Sequence, residues 1–207
     1  VADAADAAAV LTPTTAQATL RLSSSAATLA LWPQSFQAQI GVTLTPGGLR
    51  VALGVHNTGL QPLAFSGALH TYFSVDDIAQ ARLDGLGGQP EWDALTGADG
   101  LAADALRFDG NFDRVYGAAA TPLTLHTGPH RLAISQSPEW AHTVVWTPGA
   151  ANAAQIALRA RRGRLCLCQP CFRCPHVLHG CFHRIGHCLA RLGRARLVQL
   201  QLRVVRS

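Results

Sequence analysis

The heptad Gly67-Ala68-Leu69-His70-Thr71-Tyr72-Phe73 carries the residue best suited to chemistry in this 207-residue chain. It sets one imidazole at the end of an apolar, strand-like run and follows it at once with aromatic residues. An unperturbed imidazole titrates near ~6.5, so a histidine placed there can give or take a proton at neutral pH. A lone histidine specifies no reaction without partners, and the plainer alternative for His70 is a hydrogen-bonded residue at a sheet edge.

The elements that must position it read as β-strands. From Phe36 to Thr45, apolar Phe36, Ala38, Ile40, Val42 and Leu44 alternate with Gln37, Gln39, Gly41, Thr43 and Thr45, which predicts one face in a core and one in solvent. Pro46-Gly47-Gly48 reverses the chain, and Leu49, Val51, Leu53 and Val55 resume the alternation as the second arm of a hairpin. Turns at Asn57-Thr58-Gly59 and Gln61-Pro62 lead into a strand from Leu63 to Phe73. Further strands are expected at Ala18 to Ser24, Ala79 to Leu83, Leu123 to His126, Arg131 to Gln136 and His142 to Thr147. With no amphipathic helix between them, these short strands predict an all-β, antiparallel sandwich. Residues 1–17 read as a terminus or short connection without a role. Gly85 to Gly88 lacks a lysine-bearing helix start and reads as a turn rather than a phosphate cradle.

After the heptad come Asp76-Asp77-Ile78-Ala79, Leu83-Asp84-Gly85-Leu86-Gly87-Gly88, Leu106-Arg107-Phe108-Asp109 and Asp113-Arg114-Val115-Tyr116, in that order. This ordered set resembles the glucose-6-phosphate 1-epimerase (hexose-6-phosphate mutarotase) branch of the aldose 1-epimerase family, from about Thr19 to about Ile156. The resemblance implies a galactose mutarotase type of β-sandwich. It implies His70 as the general acid that protonates the sugar ring oxygen, and Asp113 as a group contacting sugar hydroxyls. Read from the residues alone, Asp113 could equally pair with Arg114 or cap a turn. Asp109 reads as a turn residue beside Gly110. Tyr72, Phe73 and Trp146 could offer an apolar face to the sugar, although buried aromatics are more often core. His56, His126, His130 and His142 fall outside the matching blocks and read as structural or surface residues.

The formal charge of +5 hides two parts of opposite sign. Residues 1–150 hold six arginines against twelve acidic residues, a net of −6, whereas residues 151–207 hold eleven arginines and no acid, a net of +11. Lysine and methionine are absent. The lack of an initiator Met suggests a fragment, a processed product or an incomplete gene model. No run of about 18 apolar residues suggests a membrane span, and Val1 to Val10 lacks the basic region of a signal peptide, so the cytoplasm is the expected compartment.

The expected division is a partial sandwich over residues 1–156 and a tail over 157–207. The tail carries all six cysteines and four of the nine histidines. Cys166, Cys168, Cys171, Cys174, His176, His179, Cys181, His183, His187 and Cys188 include zinc-ligand types, but they run together without the folding stretch that separates the ligand pairs of a finger. The preferred reading is an irregular segment from a shifted reading frame of a GC-rich gene. A metal-binding extension and a basic, nucleic-acid-binding tail are the alternatives.

In the family, the Trp-x-Pro block matched by Trp146-Thr147-Pro148 precedes an acidic helical segment and a strand bearing a catalytic glutamate. No glutamate follows Glu139 here. The family's glycine-rich, arginine-bearing N-terminal region is also not matched. The resemblance therefore implies cofactor-free, metal-free interconversion of the α and β anomers of a hexose 6-phosphate, by a chain that is marginally stable and weakly active or inactive, with edges and apolar faces left uncovered. The alternatives are the same reaction on an unphosphorylated aldose and a non-catalytic carbohydrate-binding module. Binding of zinc or nucleic acid through the tail ranks below both. The expected partner is a small-molecule sugar phosphate, with no membrane and no nucleic acid.

Overall fold

The computed structural model describes residues 6–65, 67–75, 77–149, 163–171 and 195–205, with Asp6 and the last two stretches described by backbone alone. In chain order the elements are β1 (Asp6–Leu11), β2 (Ala16–Ser23), α1 (Ala26–Leu31), β3 (Phe36–Thr45), β4 (Gly48–Asn57), β5 (Gly67–Val75), β6 (Arg82–Asp84), β7 (Pro90–Asp93), β8 (Asp99–Leu101), β9 (Ala105–Arg107), β10 (Phe112–Gly117), β11 (Leu123–Thr127), β12 (His130–Gln136), β13 (His142–Thr147), β14 (Gly163–Cys171) and β15 (Ala195–Val205). The fold is all-β, and the strand pairs that can be described are antiparallel.

Two compact units divide the chain, one of Val1–Phe65 with Leu189–Arg203 and one of Ser66–Cys188 with Val204–Ser207. Residues beyond Ala157 thus contribute to both. The first unit is a meander in the order β1-β2-β3-β4-β15. Its centre is the hairpin legible in the alternation: Thr45 pairs with Gly48 across the Pro46-Gly47 turn, and the register continues to Phe36 opposite Asn57. Residues 1–17 do more than fray, because β1 pairs with β2 from Asp6 opposite Arg21 to Leu11 opposite Ala16. The cause is visible in composition only after the fact: Ala-rich strands pair by backbone alone.

One feature of this unit follows directly from period-two alternation. Leu20, Ile40 and Leu53 form one cross-strand row, and Leu11, Ala16, Leu44 and Leu49 another on the same face. Leu20 is 52% exposed, Leu44 54% and Leu11 80%. An apolar sheet face therefore meets solvent at these residues.

α1 is a short helix that the strand pattern hides. Ser25 and Thr28 close a reciprocal capping box, Thr28 N donating to Ser25 Oγ at 3.3 Å and Ser25 N to Thr28 Oγ1 at 2.7 Å. It buries nothing.

The second unit contains two layers. One is the six-stranded order β5-β14-β13-β10-β7-β8, and the other contains the run β12-β11-β6-β9. Phe73, Val75, Phe112, Tyr116 and Val145 are buried from the first layer, and Leu83, Leu106, Leu123, Leu125 and Ile134 from the second. Turns punctuate the short strands: Gly85 and Gly88 adopt φ of 107° and 72°, and Gly110 82°, conformations open to glycine at no Cβ penalty. Residues 85–88 thus form the expected turn, and Asp109 lies in the loop before β10. The strand expected at Ala79 to Leu83 begins only at Arg82. The Asp77 carboxylate accepts from Ala79 N and Gln80 Nε2, both at 3.0 Å, and holds the preceding residues in a turn.

The segment expected to be irregular contributes two strands. β14 lies between β5 and β13, and β15 pairs with β4. Cys174, His176, His179, Cys181, His183, His187 and Cys188 lie outside the described residues. No helix among the described residues is long and apolar enough to cross a membrane.

Candidate functional site

β5 and β10 of the six-stranded layer each show one set of side chains to the core and the other set outward. On β10 the core-side set is Phe112, Arg114 and Tyr116, so Asp113 and Val115 face outward. Register extends this face across the layer. His70 pairs with Cys168, Cys168 with Val144, Val144 with Val115, and Val115 with Trp92. The adjacent row runs Tyr72, Cys166, Trp146, Asp113. His70 and Asp113 therefore share one face of one sheet, three strands apart, or roughly 14 Å between backbones.

The surroundings of His70 are aromatic. Its ring stacks on that of Tyr72, with centroids 4.6 Å apart and planes 24° apart. Tyr72 is 48% exposed, so the stack stands at the surface. Across the sheet, Trp146 and Val115 pack against buried Val144. This places an imidazole, aromatic faces and a carboxylate on one face of the sheet, a combination suited to a small polar ligand with apolar C–H faces. Phe73, by contrast, is core.

The Asp113-Arg114-Val115-Tyr116 block is split by the pleat. Asp113 does not pair with its neighbour; Arg114 turns to the other face and reaches Glu91 Oε1 at 2.8 Å and Asp93 Oδ2 at 3.6 Å. Tyr116 Oη donates to Glu91 Oε2 at 2.7 Å. Arg114 also lies 4.6 Å over the Phe112 ring. Glu91 and Asp93 are the register partners of Tyr116 and Arg114, so the clamp locks β10 to β7 directly behind Asp113. Sequence reasoning missed both Glu91 and the site-side Trp92. The alternation in Pro90-Glu91-Trp92-Asp93 was the available signal, but four residues between turns carry little of it.

This clamp makes a stability prediction. Glu91→Gln removes a charge from an ion pair whose carboxylate side is only 10% exposed, and is expected to cost about 2 to 4 kcal/mol in urea unfolding. Burial first, and the Glu91 hydrogen bond and charge second, push the Tyr116 phenol well above its usual range. The folded chain then keeps a proton that the unfolded chain releases. That contribution is complete below about pH 10 and is lost as pH rises beyond it. Tyr116→Phe should flatten the alkaline fall in stability; an unchanged slope would count against it.

The strand that follows Trp146-Thr147-Pro148 is β14, and it lies beside the histidine strand in register, Cys168 opposite His70. β14 carries no glutamate. His126 joins a cluster with Arg82 and Asp84 in the second layer. His56 and His130 are exposed on β4 and β12, and His142 opens β13. Among the described residues no group of three or more His, Cys, Asp or Glu side chains could hold a metal.

The sequence model of the aldose 1-epimerase family matches residues 9–180. A Cenchrus ciliaris protein, provisionally named a glucose-6-phosphate 1-epimerase, is 33% identical over 102 residues, covering 47% of this chain and 31% of its own. Among solved structures, a Salmonella typhimurium protein provisionally named a mutarotase superposes with a TM-score of 0.77 at 20% identity, over 95% of this chain and 63% of its own. A Synechocystis protein gives 0.76 at 20% identity, over 97% and 66%. A galactose mutarotase-like protein from Lactobacillus casei gives 0.69 at 16% identity, over 97% and 73%. The fold is thus the antiparallel sandwich of the galactose mutarotase type. This chain spans about a third of the curated relative and under two thirds of the first two structures.

Proposed function

Because this chain belongs to the aldose 1-epimerase family, we propose that it interconverts the α and β anomers of an aldose, using His70 as general acid. The observation that carries this reading is the position of His70, on a sheet face shared with Tyr72, Trp146 and Asp113. Protonated His70 delivers its proton to the ring oxygen as the bond from that oxygen to C1 breaks. The anomeric hydroxyl loses its proton to water and becomes the aldehyde oxygen. Rotation about C1–C2 exposes the other aldehyde face; the ring hydroxyl attacks it and returns its proton to His70, while the aldehyde oxygen takes back a proton from water and becomes the anomeric hydroxyl. Asp113 accepts hydrogen bonds from sugar hydroxyls and fixes the ring's orientation.

With water in place of a positioned carboxylate base, this mechanism uses one of the two catalysts the chemistry favours, and a positioned acid alone is worth about 10² to 10⁴ in rate. A weak mutarotase is the expected result. A second reading narrows the substrate to a hexose 6-phosphate, supported by the ordered blocks from His70 to Tyr116 and the name of the Cenchrus ciliaris relative.

Polarimetry of freshly dissolved α-glucose and α-galactose tests the first reading, and competition by glucose 6-phosphate tests the second. Acceleration over buffer that saturates with sugar is expected. Sugar binding without acceleration would leave a carbohydrate-binding module, and neither binding nor acceleration would sink the proposal.

A further inference from the structure

A row of basic side chains crosses the outer face of the second layer of the second unit. β12, β11, β6 and β9 are neighbours in that order. Their register sets Arg131 opposite His126, His126 opposite Arg82, and Arg82 opposite Arg107. Leu83, Leu106 and Leu125, the sequence neighbours of these residues, are buried, so alternation turns the four basic groups outward. At the usual strand spacing the row is roughly 14 Å long.

One carboxylate serves its centre. Arg82 Nη2 donates to Asp84 Oδ2 at 3.0 Å, and its buried Nε lies 2.9 Å from Oδ1 as an ion pair without hydrogen-bond geometry. His126 Nε2 lies 2.7 Å from the same Oδ2 and 3.0 Å from Arg82 Nη2. Arg107 and Arg131 are exposed, and neither makes a hydrogen bond or ion pair among the described residues. Like charges set directly opposite in a sheet repel. A bound dianion reverses that sign, and guanidinium groups held at a fixed orientation suit the oxygens of phosphate or sulfate.

We propose that this row is a binding site for a phosphate-type dianion, seated over Arg82 and Arg107 with Arg131 adding attraction from the far end. Asp84 is its organiser, holding the Arg82 guanidinium flat and ordered before the ligand arrives. The site faces away from the core on the layer that does not carry His70, so it stands apart from the sugar surface.

The test is calorimetric titration of the whole chain with inorganic phosphate, at ionic strength held constant with chloride. Saturable binding is expected, weakened about tenfold by Arg107→Gln, the loss of one charged hydrogen-bond donor set, and less by Arg131→Gln. Arg50→Gln, an exposed arginine on β4, should leave it unchanged. Far-UV circular dichroism confirms that the variants fold. Displacement of inorganic phosphate by glucose 6-phosphate, in His70→Asn as in the unsubstituted chain, identifies a phosphate monoester as the natural ligand; no displacement identifies the free ion. Binding that does not saturate, or that Arg50→Gln weakens as much as Arg107→Gln, overturns the proposal.

Discussion

Replacing His70 by asparagine is expected to return mutarotation to the rate of buffer alone, while sugar binding stays within a few-fold. Asparagine keeps a hydrogen-bonding side chain of similar reach but cannot exchange a proton with the ring oxygen near neutral pH. The whole contribution of a positioned acid, about 10² to 10⁴ in rate, is then removed. His70 lies on the outward face of β5 beside half-exposed Tyr72 rather than among the buried residues, so a global loss of structure is not the cause anticipated. The measurement is initial polarimetric rate together with the sugar dissociation constant. An unaltered rate would remove His70 from the mechanism; a lost rate with lost binding would make it a binding residue only.

Trp140→Ala should produce the largest loss of stability. Trp140 is fully buried at the corner joining β12 to β13. Its backbone N donates to Ser137 O at 3.0 Å and its carbonyl accepts from Gln136 Nε2 at 3.2 Å. Gln136 in turn accepts from Thr143 Oγ1 at 3.1 Å, so the indole anchors a hydrogen-bonded corner. Deleting a buried tryptophan costs about 3 to 5 kcal/mol, against a total of about 5 to 15 kcal/mol for a typical domain. The melting midpoint should fall by about 10 °C or more. A fall of only ~2 °C would mean that the corner repacks around the cavity.

The sequence reveals this fold where alternation is long and conceals it where strands are short. The ten-residue arms β3 and β4 declare their inner face residue by residue, and the Pro46-Gly47 turn fixes their register. β7, β8 and β9 have four, three and three residues, too few for a period to stand out from chance. The same limit hid Glu91 and Trp92. His70 and Asp113 were legible as residues, but their common face was not, because it depends on pairings between strands distant in sequence. β14 and β15 were illegible for another reason. β14 offers no clear alternation, whereas in β15 Val198, Leu200, Leu202 and Val204 alternate with Gln199, Gln201 and Arg203, a strand signal that the arginine- and cysteine-rich composition of the segment masked; the pairing itself is made by backbone groups that every residue except proline carries in full.

The apolar rows of the first unit decide how the stability predictions should be measured. A native surface bearing Leu11, Leu20 and Leu44 in solvent is the kind of patch that takes up amphiphilic probes and other apolar surfaces. A dye that brightens in contact with hydrocarbon will glow before heating begins, and a thermal scan read that way will start from a high plateau and understate every shift. Far-UV circular dichroism has no such background. At high protein concentration the same rows favour self-association, so midpoints for the Trp140 and Glu91 variants belong at matched, dilute concentrations.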